Sequence, residues 1–342
     1  MTKKIESIQG LRAILFFLIL SFHCGIGNCG SFAVSGFVII SGFVMIQRTN
    51  IRGGVNILTA ISESFQRIKK LYPIHLFMML LAVIYEIIFQ QVSYQSLIKK
   101  ILVNVSLVQS WIPFSDYYFS LNGVAWYLST SFVLYIAYPF IRELLKVKKN
   151  YLINIFLLYF GMIIIAYLFA KTNLPKEQME WFTYIFPLFR IGDFAIGCNL
   201  GLLFLKNKKL GSKICTIMEI CSFTLAIISL YVYEITSNNY ECSWYRYTLL
   251  FIPSVCCLIY ILAVNKGFMS KLLSNKNIVK IGNLSGYAFI VHQMILWYIR
   301  AFLDYFEVKY NAILLVLFVL LGTIFFVLLI MRIKNIHTYW VY

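Results

Sequence analysis

Charge is scarce in this sequence. Only 13% of its 342 residues are Asp, Glu, Lys or Arg, whereas 61% are hydrophobic. With a mean hydropathy of +0.80, a soluble globular protein of this size is excluded. Metal-type cysteine spacing is also missing. Cys24, Cys29, Cys198, Cys215, Cys221, Cys242, Cys256 and Cys257 lie mostly inside apolar segments, where they read as small core residues. Only Cys24 and Cys29, which flank a short turn, are placed to pair. No metal site and no bound cofactor are expected. No coiled coil, low-complexity tract, clear internal repeat or soluble segment interrupts the chain. A single integral-membrane domain over residues 1–342 is therefore expected, with its chemistry inside the helical bundle. Lys3 and Lys4 precede the first apolar run as in a signal peptide. No small-residue cleavage site follows and Arg12 sits within the run, so this segment is expected to be retained.

What the sequence does hold is a series of long apolar runs. Ten read as transmembrane helices, near residues 8–26, 31–47, 71–90, 124–141, 151–170, 183–205, 213–233, 245–264, 281–299 and 311–331. The expected fold is all-α, a polytopic helical membrane protein. Residues 95–111 are apolar but carry Lys99 and Lys100, and read as an interfacial or re-entrant helix. The net charge of +17 does not point to nucleic acid, because the basic residues fall in short loops between apolar runs. With the N-terminus in the cytoplasm, 21 basic residues fall on the cytoplasmic side. Seven lie outside: Lys99, Lys100, Lys171, Lys176, Arg246, Arg300 and Lys309. This asymmetry places both termini in the cytoplasm and makes the number of spans even.

Chemistry starts in the first span. GLRAILFFLILSFH puts Arg12 and His23 eleven positions apart, close to three turns at ~3.6 residues each, so both project from one helix face. They are ~16 Å apart along the axis at ~1.5 Å per residue. A charge and a titratable imidazole inside an apolar run mark a functional site more often than a lipid-facing surface. The bland alternative is a signal-anchor helix with a snorkelling arginine and a packed histidine. FVIISGF, at Phe37–Phe43, supplies Ser41 and Gly42, a hydroxyl and a point of close helix approach. In RIKKLYP, Arg67, Lys69 and Lys70 precede a helix that opens with Tyr72-Pro73. Basic side chains beside a helix N-terminus suit phosphate groups, and they also serve as a topology signal. Trp126 and Tyr127, in WYLSTSFVLYIAYP, read as an aromatic belt at the outer interface. Arg190 and Asp193, three apart in FRIGDFAIG, suit either a structural ion pair or a ligand contact. His292 lies within the ninth span at a depth similar to His23, as a packing residue or a second site histidine.

Taken in order, these motifs resemble the membrane acyltransferase family 3, the bacterial O-acyltransferases that modify surface polysaccharides. The resemblance covers most of the chain: GLRAILFFLILSFH, FVIISGF, RIKKLYP, WYLSTSFVLYIAYP, FRIGDFAIG and IGNLSGYAFIVH. It implies a multi-pass protein of the bacterial cytoplasmic membrane. It also implies an acyl-CoA donor such as acetyl-CoA on the cytoplasmic side, and a glycan or lipid-linked oligosaccharide acceptor outside. The residues it marks as essential fall here on Arg12 and His23. Two departures stand out. Many members have arginine where this chain has Lys70, and many carry two glutamates where it has Ser131 and Phe132.

The residues and the resemblance agree on one expectation. Arg67, Lys69, Lys70 and Ser41 hold acyl-CoA, Arg12 and His23 carry the transfer, and Arg190, Asp193, His292 and Trp126 line the site. His23 then acts as general base or as a transient acyl carrier. The competing class is a transporter of a lipid-linked or anionic substrate. It is disfavoured because no pair of broken helices recurs in two halves.

Overall fold

Helix α1, Glu6–His23, packs along the helices at Gly30–Arg48 and Lys276–Tyr305. The structure is a computed structural model that describes residues 4–48, 56–90, 92–172, 174–206, 211–237 and 239–333. Lys3, Arg52, Lys208, Lys209 and Lys334, which enter the charge asymmetry, lie outside the described residues, as does the side chain of Arg48.

After α1 come α2, Gly30–Arg48, and α3, Ile57–Ile68; α4, Tyr72–Tyr85, is prolonged by a π-turn over Glu86–Gln90. Then follow α5, Tyr94–Val105, the short α6, Ser115–Tyr118, the long α7, Trp126–Val147, and α8, Tyr151–Ala170. A one-turn α9, Lys176–Glu180, passes through a π-turn, Trp181–Ile185, into α10, Pro187–Lys206. The rest is α11, Ser212–Ile235, α12, Ser243–Arg246, α13, Ile252–Val264, α14, Phe268–Leu273, α15, Lys276–Tyr305, and α16, Ala312–Ile333. Among the described residues there is no strand.

The fold is an all-α polytopic membrane protein. Eight helical stretches among the described residues are long and apolar enough to cross a bilayer, against the ten expected. The difference lies in the eighth and ninth runs. Residues 245–264 are broken: the chain turns after α12, and α13 keeps only 13 residues, about 20 Å of helix. Residues 281–299 are inside α15, whose 30 residues make about 45 Å. That helix is ample in length but too polar to count by composition. Its Ser285, His292 and Gln293 are buried, so its polarity faces the bundle and not lipid. Residues 95–111 do not span: α5 has 12 residues, and its Lys100 pairs with Glu86 of the π-turn at 3.5 Å.

Close helix approach is made at glycines. A Cβ on Gly42 would run into the Phe194 carbonyl of α10, and one on Gly197 into the Ile39 carbonyl of α2. Such contacts carry helix association in a membrane, where lipid competes equally for apolar surface. Likewise Gly282 of α15 lies on the Gln9 carbonyl of α1, and Gly10 on the Leu273 carbonyl. From there α1 and α15 rise in parallel, Phe16 meeting His292 and Arg300 reaching the carbonyl of His23.

α3 was not among the expected elements. Asn56 caps it, accepting from Leu58 N at 2.9 Å, and only its Ala60, Ser64 and Ile68 stripe is buried. Ser64 donates to the Phe132 carbonyl of α7 at 2.7 Å, which fixes the last turn of α3, and so Arg67, beside α7. All eight cysteines are free, Cys24 and Cys29 included; Cys24, Cys198 and Cys215 are buried, whereas Cys221 and Cys257 are exposed.

Candidate active site

Arg12 and His23 project from α1 as their spacing requires, and a continuous file of side chains links them. At one end, Arg67 of α3 lies over the Tyr138 ring at 5.7 Å and acts electrostatically on Tyr135. Tyr135 and Tyr127, both on α7, each place the phenol against the Ser41 hydroxyl, and each feels the charge of Arg12. Ser41 donates its own proton to the Phe37 carbonyl at 2.8 Å. Arg12 is steadied by Gln9, whose Oε1 accepts from Nη1 at 3.3 Å. These tyrosines lie deep in the bundle yet keep part of their surface open, as do Arg12 and Ser41. Pro139 adds a further polar group: it has no amide to bond the Tyr135 carbonyl one turn back.

From Tyr127 the file continues through aromatic contacts. The Tyr127 ring is 5.2 Å from Phe289, Phe289 is 5.8 Å from His292, and His292 is 5.2 Å from His23. His23 ends α1 and is partly open, with Phe22 against its ring. Arg300 Nη2 donates to its carbonyl at 3.2 Å. The structure thus joins Arg12, Ser41, Arg67, His23 and His292 in one file. It leaves Lys69 and Lys70 exposed on the surface beside Arg67.

Arg190 and Asp193 stand beside the file, where the charge of Arg190 also acts on Tyr127. They form a fully buried ion pair, Nη2 to Oδ2 at 2.8 Å. Arg190 Nη1 also donates to Thr248 Oγ1 at 2.7 Å and to the Tyr184 carbonyl at 3.4 Å. Trp126 and Tyr127 do not form the lipid-facing belt expected of them. Trp126 is 5% exposed and packs on Tyr184 at 5.0 Å. Tyr184 comes from the π-turn before α10, an irregularity that often marks functional sites.

Sequence reasoning missed Tyr135, Arg300 and the placement of Tyr127. Tyr135 sits one turn before Pro139 in an apolar span, which was the available signal. Arg300 was counted as a loop charge. In chemical terms the file offers cations at one end, phenols in the middle and two imidazoles at the other.

The profile of a family described as an acyltransferase domain matches residues 5–332. The chain belongs to the acyltransferase family 3. One relative of the chain is Acyltransferase MdmB of Streptomyces mycarofaciens, 26% identical over 191 residues. That match covers 52% of the chain and 48% of the relative, so the chain spans about half the length of the protein it matches. No solved structure matches the chain. Where many members carry two glutamates, this chain has Ser131, which is buried, and Phe132, which packs on Phe65 at 4.9 Å. Any role those acids have elsewhere is not carried over to this chain.

Proposed function

We propose that this acyltransferase moves an acyl group, most simply acetyl, from cytoplasmic acyl-CoA to a hydroxyl of a surface polysaccharide or its lipid-linked precursor. The observation that carries this reading is the file from Arg67 to His23. Acyl-CoA has the same polarity: anionic phosphates, an amide-bearing arm, then a thioester. Arg67 faces the phosphates, with Lys69 and Lys70 adding surface charge near them. Arg12, Ser41, Tyr135 and Tyr127 offer donors and acceptors along the arm. The thioester then reaches His23, whose imidazole takes the proton of the acceptor hydroxyl. In this reading the protein sits in the bacterial cytoplasmic membrane with the Arg67 end inward and the His23 end outward, which separates donor and acceptor.

The test uses purified full-length protein in detergent, acetyl-CoA, and the surface polysaccharide of the expression host as acceptor. Release of free CoA thiol that depends on the polysaccharide supports the reading. A transporter or a scaffold subunit would release none. Mass spectrometry of surface glycans with and without the protein then names the acyl group and the sugar position.

A further inference from the structure

His292 is wholly buried, and only one of its nitrogens has a partner. Nδ1 lies 2.8 Å from the Phe289 carbonyl, one turn back on α15. A carbonyl only accepts, so in the neutral ring Nδ1 carries the hydrogen and Nε2 is a bare lone pair. That Nε2 makes no hydrogen bond. Buried polar atoms of native proteins nearly always have a partner, so a donor belongs at this atom. Three rings surround His292: Phe16 at 5.7 Å, Phe289 at 5.8 Å and His23 at 5.2 Å. Of these only His23 has an N–H. An N···N hydrogen bond of about 2.9 Å, with roughly 1 Å from each ring centre to its nitrogen, separates two imidazole centres by about 5 Å. The observed spacing therefore matches a direct bond, reached by turning the partly open His23 ring while His292 stays pinned.

We propose that His292 is the positioning residue for His23, its Nε2 accepting the His23 N–H. This rests on the reading of His23 as the base. The contact holds His23 in one tautomer and leaves its other nitrogen bare toward the acceptor hydroxyl, the role an orienting partner plays for a catalytic histidine. During transfer the acceptor O–H bond breaks and its proton passes to that bare nitrogen. The hydroxyl oxygen bonds to the acyl carbon, the carbon–sulfur bond breaks, and the departing thiolate takes the proton from His23. Ester and thiol result, and His292 exchanges no proton with substrate. Arg300, from the same helix, holds the His23 carbonyl, so α15 fixes both the backbone and the ring of this residue.

The test measures polysaccharide-dependent thiol release from acetyl-CoA by the full chain in detergent, with thermal unfolding as the check on folding. His292→Phe keeps the aromatic volume and removes the lone pair. It is expected to lower kcat 10- to 100-fold while KM for acetyl-CoA stays within twofold. His292→Gln places an amide oxygen near the Nε2 position and should recover at least a third of wild-type kcat. His292→Asn is equally polar but one methylene shorter, so it should fall with His292→Phe. If phenylalanine is tolerated, or if glutamine is no better than asparagine, the proposal is overturned; the glutamine–asparagine contrast decides even where His292→Phe fails to fold. If His23→Ala retains full turnover, the reading of His23 as base fails instead, and the two failures are told apart.

Discussion

Arg67 and Lys69 are two residues apart, yet Arg67 turns over Tyr138 toward the site while Lys69 stays at the surface. Neutralising Arg67 should therefore raise KM for acetyl-CoA about tenfold with little change in kcat, whereas Lys69→Ala should leave both nearly unchanged. Loss of a remote, uniformly felt phosphate contact appears in KM; equal effects from both substitutions would assign these residues to topology alone. At His23 the expectation is different. His23→Ala should remove about 10²–10⁴-fold of turnover, the contribution typical of a positioned general base, and leave donor binding intact. His23→Gln hydrogen-bonds but takes no proton at neutral pH, and near-normal turnover in that variant would end the proposed chemistry. For Arg190 and Asp193 the consequence is structural. Asp193→Leu leaves a fully buried guanidinium without its anion, which costs about 3–5 kcal/mol. A double variant, Arg190→Met with Asp193→Leu, should melt well above the single one in detergent, and a double variant that melts no higher would show that the charge pair is not what the single change disrupts.

Among the elements, those most legible in sequence were the lipid-facing helices, because lipid contact demands uniform apolarity. α8 and α16 show this: most of their side chains face outward. α15 was found, but its weight in the fold was not. It carries the polar residues of the core, and a count of apolar residues ranks it below helices that only line the edge. α3 escaped because Glu63 and Arg67 mask a narrow buried stripe of one residue per turn. The helical spacing of Arg12 and His23 was readable from periodicity alone. Their company was not, since Ser41, Tyr127, Tyr135 and His292 reach them from α2, α7 and α15, and no local rule sets those pairings. Gly42 and Ser41 show the two readings of one motif side by side. Gly42 lies on the Phe194 carbonyl of α10 while Ser41 turns to the tyrosines. Gly42→Val should thus cost stability, about 1–3 kcal/mol as for overpacked cores. Ser41→Ala should leave the melting point within a degree or two and act on donor KM. A Gly42→Val protein with wild-type unfolding would show that α2 and α10 are looser than this contact requires.

At the scale of the whole molecule, the parallel course of α1 and α15 constrains the path of the chain without any count of spans. Lys4 reaches Asn283, Gly10 meets Leu273, and Gly282 meets Gln9, so both helices start at one end of the bundle. They also finish together, with Arg300 on the His23 carbonyl. α16 then folds back along α15, Gly322 lying against Ile295 and Ile299, which returns the end of α16 to the side where α1 began. An even number of crossings follows from these contacts, in keeping with the skew of basic residues toward one set of loops. If that set is cytoplasmic, as the positive-inside rule requires, a reporter fused after residue 342 reports the cytoplasm. One inserted at Lys171, at the end of α8, reports the opposite side. A pair of reporters that give the same location would overturn this topology, and with it the proposed separation of acyl-CoA at the Arg67 end from the acceptor at His23.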